Sequence, residues 1–136
     1  MPEILIADDS PSNRLTLAAL ASDIEADVLI ATSGLEAIKL ATEKKPALVL
    51  LDADMPDMDG YQVINQLAGN GQTTNIPIIL METNFSPRKA SLHGSSVWPT
   101  EILYKPINPD QLRQKVAALL DLEKIRQDIV TIREFE

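Results

Sequence analysis

Short continuous apolar runs recur along the chain, separated by stretches in which apolar residues return every three or four positions. Residues 4–7 (ILIA), 28–31 (VLIA), 48–51 (LVLL), 78–81 (IILM) and 102–104 (ILY) form the runs. Unbroken runs of this length suit strands buried on both faces of a parallel sheet, so five strands are predicted. The intervening stretches read as helices. The first opens at Ser10-Pro11, where proline suits the first helical turn, and sets Leu17, Leu20 and Ile24 on one face. The second covers residues 34–45 with Ala37, Ile38 and Ala41 on one stripe, basic Lys44 and Lys45 at its end and Pro46 as its stop. A third starts near Gly60, buries Val63, Ile64 and Leu67, and ends at Gly69-Asn70-Gly71. A short fourth helix is expected within residues 86–96, where Pro87, Gly94 and several serines weaken the pattern. The last opens near Asn108-Pro109-Asp110 and meets no breaker over about 25 residues, roughly 38 Å.

Strands alternating with helices predict an α/β fold with right-handed crossovers and helices on both faces of a mostly parallel sheet. The chain's 136 residues fit one such domain. We assign residues 1–121 to it and 122–136 to a C-terminal helical extension or linker. Within that extension Leu122, Ile125, Ile129 and Ile132 repeat in 3-4-3 steps, like a short coiled-coil seam, so a homodimer through this helix is one expected partner arrangement.

Composition narrows the function. The chain is 45% hydrophobic and 24% charged, as in ordinary folded domains. It has no cysteine and no apolar run that would span a bilayer, which suits the cytoplasm and offers no thiolate chemistry. A net charge of -8 argues against direct binding to nucleic acid or to an anionic membrane. The excess is local: residues 1–60 hold 12 Asp and Glu against 4 Lys and Arg, whereas residues 61–136 hold 8 of each.

Ligands of parallel α/β sheets bind beyond the carboxyl ends of the strands. Asp8-Asp9 follows the first run, Asp52 the third and Lys105 the fifth. If the first and third strands are neighbours, three carboxylates converge within several ångströms, and their mutual repulsion would raise pKa values or recruit a cation. With no His or Cys nearby, such a site suits a hard divalent ion, Mg2+ or Mn2+. Asp52 is then the best oxygen nucleophile for phosphoryl transfer, and Lys105 a point charge for a phosphoryl oxygen.

At these residues the sequence resembles the receiver domains of two-component response regulators, over residues 3 to about 120. The resemblance rests on Asp8-Asp9, on the segment from Leu50-Leu51-Asp52-Ala53-Asp54-Met55-Pro56 through Asp57-Met58-Asp59-Gly60, and on Lys105-Pro106. It implies a flavodoxin-like, doubly wound sheet of order 2-1-3-4-5, with Asp52 as phosphoacceptor and Lys105 contacting phosphate. It implies Asp9 and Asp52 as direct metal ligands, Asp8 acting largely through water, and Asp54 offering its backbone carbonyl. A histidine kinase or phosphotransfer protein would supply the phosphoryl group and an output domain or protein would read it.

Two positions depart from that pattern. Where the family carries Thr or Ser at the end of the fourth strand, an ungapped count places Glu82, with Thr83 taking the role only if the strand carries a bulge. Glu82 can alternatively turn outward and pair with Lys105 or Arg88. A carboxylate about 5 Å from a phosphoryl group would cost on the order of 3 kcal/mol per unit charge. The aromatic switch position is Ile102, with Tyr104 out of register, and Val97-Trp98-Pro99-Thr100 replaces the usual small residues. Trp98 reads as a loop anchor or an output contact, and His93 as a solvated side chain. The leading expectation is a phosphoacceptor switch, and the alternative a pseudo-receiver that binds partners without phosphorylation. A phosphatase reading of Asp52-Ala53-Asp54 lacks downstream acids, since Asp110, Asp121 and Asp128 all fall in the last helix. The chain is therefore not expected to be an enzyme, beyond metal-assisted self-phosphorylation and slow self-hydrolysis.

Overall fold

A computed structural model of the protein describes residues 1–83 and 99–134. The expected short helix at residues 86–96, together with Arg88, His93 and Trp98, lies outside them. Along the chain run β1 (Glu3–Ala7), α1 (Pro11–Ser22), β2 (Asp27–Ala31), α2 (Gly34–Lys44), β3 (Leu48–Asp52), α3 (Gly60–Ala68), β4 (Ile78–Glu82), β5 (Glu101–Tyr104) and α4 (Pro109–Glu134). The strands form one parallel sheet in the order β2-β1-β3-β4-β5, the flavodoxin-like order expected.

Strand alternation divides the core in two. Leu5, Val49, Leu51 and Leu80 face α2 and α3, where Ala37, Ala41, Val63, Ile64 and Leu67 meet them. Ile4, Ile6, Leu50, Ile79 and Met81 face the other way, onto Leu17 of α1 and Leu112, Val116 and Leu119 of α4. Each such aliphatic side chain contributes about 1.5–3 kcal/mol through burial. Burial on both faces holds only for β1, β3 and β4. As sheet edges, β2 and β5 are only partly covered, and Tyr104 at the end of β5 is 53% exposed.

Local chemistry sets the helix ends. Ser33 caps α2, its Oγ accepting from Glu36 N–H at 3.1 Å. The helix stops at Lys44 rather than Lys45. Pro46 disfavours helical backbone in the residue before it, and Lys45 adopts a left-handed φ of 47° while its N–H still reaches Ala41. Asp59 and Gln62 form a reciprocal capping box at the start of α3. At 26 residues α4 extends about 39 Å, against roughly 17 Å for a five-residue strand, so its second half outruns the sheet.

Gly60 seals the turn after β3. Its N–H donates to Ala53 O at 2.8 Å, and a Cβ there would lie 2.8 Å from Ala53 Cα and 3.0 Å from Asp52 O. Backbone on both sides cannot give way cheaply. Gly60→Ala is expected to lower stability by about 1–3 kcal/mol, as measured by urea unfolding; an unchanged midpoint would show that the turn has slack.

Candidate functional site

Parity along the strands explains which side chains meet. Asp8 continues the alternation of Ile4 and Ile6, Asp52 that of Leu48 and Leu50, and Lys105 that of Leu103, so all three emerge on the α1/α4 side at the same sheet edge. Carboxylate oxygens of Asp8, Asp9 and Asp52 lie within 4.8 Å of one another. Asp8 and Asp52 are buried and Asp9 is exposed.

Asp52 is asymmetrically held. Its Oδ1 accepts from Lys105 Nζ at 2.6 Å and from Asp54 N–H at 3.2 Å. Its other oxygen has no hydrogen bond among the described residues. Burial lifts the Asp52 carboxyl above the ordinary aspartate value, against the opposing pull of Lys105 and the Asp54 N–H. Burial alone would depress the Lys105 ammonium, but its bond to Asp52 and the charges of Asp52, Asp54 and Asp8 hold it above the ordinary lysine value. Asp8 is fixed by Ser10, whose N–H donates to its Oδ1 at 2.9 Å as α1 begins.

Arg14 belongs to this site and was not singled out from the sequence. Its Nη1 donates to Asp8 O at 2.9 Å. The available signal was its position six residues beyond Asp8, on the first turns of the helix that starts at the site. Among the described residues four acids, Asp8, Asp9, Asp52 and Asp54, thus stand against two cations, leaving two negative charges in excess. At 4.8 Å and an effective dielectric near 20, each carboxylate pair repels by about 3–4 kcal/mol. The hard oxygen donors and the size of that excess fit a divalent cation. Beside the acids a cleft of about 290 Å³ runs between α1 and the β5–α4 connection, lined by Asn13, Leu17, Met81 and Pro106 as well as Asp8 and Lys105.

Glu82 is placed differently from both alternatives weighed above. β4 pairs through Glu82 without a bulge, so Thr83 falls past the strand end and is exposed. The Glu82 side chain is buried rather than turned outward. It follows the parity of Leu80, toward α3, and its Oε2 accepts from Tyr61 Oη at 2.9 Å while Oε1 accepts from Thr83 N–H at 2.8 Å. Lys105, the pairing partner once expected for it, bonds Asp52 instead. Tyr61 had no signal in the sequence beyond following Gly60. Its phenol pKa is driven far up by burial and then by the Glu82 carboxylate, so the hydroxyl stays a donor at any physiological pH.

The other two acids of the segment after β3 serve the helices. Asp59 caps α3, and Asp57 reaches α2, accepting from Gly34 N–H at 2.9 Å and Leu35 N–H at 3.0 Å.

Comparison with known proteins follows this geometry. The model of the Response regulator receiver domain family matches residues 4–117. Protein PilH of Pseudomonas aeruginosa is 32% identical over 120 residues, covering 88% of this chain and 98% of that protein. The signal receiver domain of a signal transduction histidine kinase from Syntrophus aciditrophicus superposes with a TM-score of 0.80 at 28% identity, over 89% of this chain and 91% of that one. Chemotaxis protein CheY4 of Vibrio cholerae superposes with a TM-score of 0.77 at 29% identity, over 88% and 98%. Several other curated relatives are longer, and the chain spans only 30% to 49% of their length. Among the described residues no helix is long and apolar enough to cross a membrane.

The N–H donors of Gly34 and Leu35 hold the Asp57 carboxyl below the ordinary aspartate value of 3.8. A lowered folded-state pKa means stability fully present above 3.8 and lost as pH falls through the lower folded value. Asp57→Ala is therefore expected to cost about 1 kcal/mol at neutral pH. The difference from wild type should shrink as denaturant melts are moved below pH 3.8; a gap independent of pH would assign the effect to packing.

Proposed function

The chain belongs to the response regulator receiver domain family of two-component signalling, and on that premise we propose that Asp52 accepts a phosphoryl group from a histidine kinase or phosphotransfer protein. The observation that carries this reading is the asymmetry of Asp52: one oxygen is fixed by Lys105 and the Asp54 N–H, and the other has no hydrogen bond among the described residues and lies beside Asp8 and Asp9. That second oxygen attacks phosphorus, the bond from phosphorus to the donor's nitrogen or oxygen breaks, and the donor leaves with the electron pair. An acyl phosphate on Asp52 results. Lys105 then exchanges the spent carboxylate oxygen for a phosphoryl oxygen as its partner.

Asp8, Asp9 and Asp52, with the carbonyl of Asp54, would hold Mg2+ or Mn2+. The bound ion would offset the charge of the incoming group. In this reading the domain is a switch rather than an enzyme of metabolism. It would act in the cytoplasm and pass its state to an output domain or protein, with Thr83 playing no part in holding phosphate.

The burial of Glu82 favours a second reading, a pseudo-receiver that engages partners without phosphorylation, because the family carries Thr or Ser there. Against it stands the Tyr61 bond, which draws that carboxylate toward α3. A small acyl-phosphate donor with Mg2+ is expected to add one phosphoryl group, seen by intact mass, and Asp52→Asn to abolish the adduct. Glu82→Thr should change the rate of uptake by no more than about threefold, under 1 kcal/mol. A wild type that takes no phosphoryl group, alongside a Glu82→Thr variant that does, would establish the second reading.

A further inference from the structure

We propose that the second half of α4 is a self-assembly seam, in which copies of this chain pack parallel and in register through Leu122, Ile125, Ile129 and Ile132. These residues are 58%, 54%, 45% and 60% exposed. Such exposure of large aliphatic side chains on one stripe is unusual for a surface without a partner. At 100° per residue the stripe lies about 130° around the helix from Leu112, Val116 and Leu119, which bind the sheet. It therefore turns away from the sheet, with only its first member, Leu122, also bordering a groove beside Asn75, Ile76 and Pro77 among the described residues.

The 3-4-3 spacing fixes the heptad register, with Leu122 and Ile129 at a and Ile125 and Ile132 at d. The flanking charges then choose both the partner and its direction. Asp121 and Asp128 occupy g, Arg126 and Arg133 occupy e, and all four are exposed. In a parallel assembly each g residue meets the e residue five positions on in the neighbouring helix, so Asp121 faces Arg126 and Asp128 faces Arg133. An antiparallel pair would instead set g against g and e against e, like charge against like. Among the described residues Arg126 is held by a contact with half-buried Glu123 at 3.6 Å and a long bond to Asn75 O at 3.3 Å, both weak enough to exchange. Isoleucine at both d positions favours more than two strands over a dimer.

Topology makes the assembly compatible with an open site. α4 starts just after Lys105, at the acidic edge, and runs back along the sheet, so the seam lies at the opposite end. Parallel copies hold every acidic pocket pointing away from the seam.

Sedimentation equilibrium of the full chain is expected to show concentration-dependent dimers or trimers. Ile125→Ser should weaken assembly by about tenfold or more without altering the helical signal of the single chain, since Ile125 is already exposed there. Asp128→Arg should weaken assembly several-fold and the double variant Asp128→Arg/Arg133→Asp should restore it. Because the chain has no cysteine, Leu122→Cys and Ile132→Cys report direction: each cross-links to its own counterpart in a parallel assembly, and neither does so in an antiparallel one centred between them, where counterparts lie about 15 Å apart. A chain that stays monomeric to about 1 mM, an assembly indifferent to Ile125→Ser, or one that yields neither cross-link overturns the proposal.

Discussion

Ala7 pairs with Leu51, Asp52 with Met81 and Glu82 with Tyr104, and because these strands all run the same way, the residues at and just past those pairs arrive together at one edge. Asp8, Asp52 and Lys105 come from three separate parts of the sequence, and only this register brings them within bonding distance. A slip of one residue in β3 would send the Asp52 side chain to the α2/α3 side and Leu51 to the site. The apolar runs forbid that slip. β1, β3 and β4 are covered on both faces, so any shift would misplace aliphatic side chains in both cores at once. The two cores thus hold together an acidic cluster whose members repel.

That repulsion shapes the rest of the edge. Among the described residues four acids and two cations gather there, and Lys105 bonds Asp52 alone of the four. The segment after β3 carries Asp52, Asp54, Asp57 and Asp59, close in sequence and alike in composition, yet the fold divides their work. The first two remain at the cluster, while Asp57 and Asp59 turn to the N-termini of α2 and α3, where backbone N–H groups satisfy them. One acidic segment therefore both charges the site and stabilises the helices that flank it, and Gly60 lets the backbone turn tightly enough for both.

The sequence made the sheet legible because buried strands and helix stops are local signals. Strand-end acids and Lys105 were legible because a parallel sheet converts strand ends into neighbours. What it could not show was where a side chain turns after the strand ends. Glu82 was legible as a strand-end carboxylate, but its acceptor role toward Tyr61 joins residues 21 apart on different elements, and no periodicity encodes such a pair. Arg14 was missed because its contact is to a backbone carbonyl, which carries no residue identity. The edge strands were misjudged for a related reason: the run of residues 102–104 is as apolar as the inner runs, and only the order of strands leaves Tyr104 uncovered.

Glu82 shows how a carboxylate is accommodated at the buried end of β4. A buried carboxylate needs donors, and the hydroxyl of Tyr61 and the N–H of Thr83 are among those that supply them. Because burial and the carboxylate itself drive the Tyr61 phenol far above its usual pKa, the hydroxyl keeps its proton, so the contact does not loosen across the physiological range. Parity directs the side chain toward Leu80 and α3, the opposite side from Asp8, Asp52 and Lys105. Among the described residues the charge excess at the acidic edge therefore stays at two, the value a divalent cation offsets, rather than rising to three. A threonine at this position would give the site a hydroxyl, whereas the glutamate held by Tyr61 gives it none. On the proposed reading, the stabilisation of negative charge added at Asp52 would therefore rest, among the described residues, on Lys105, together with a divalent cation held by the acids.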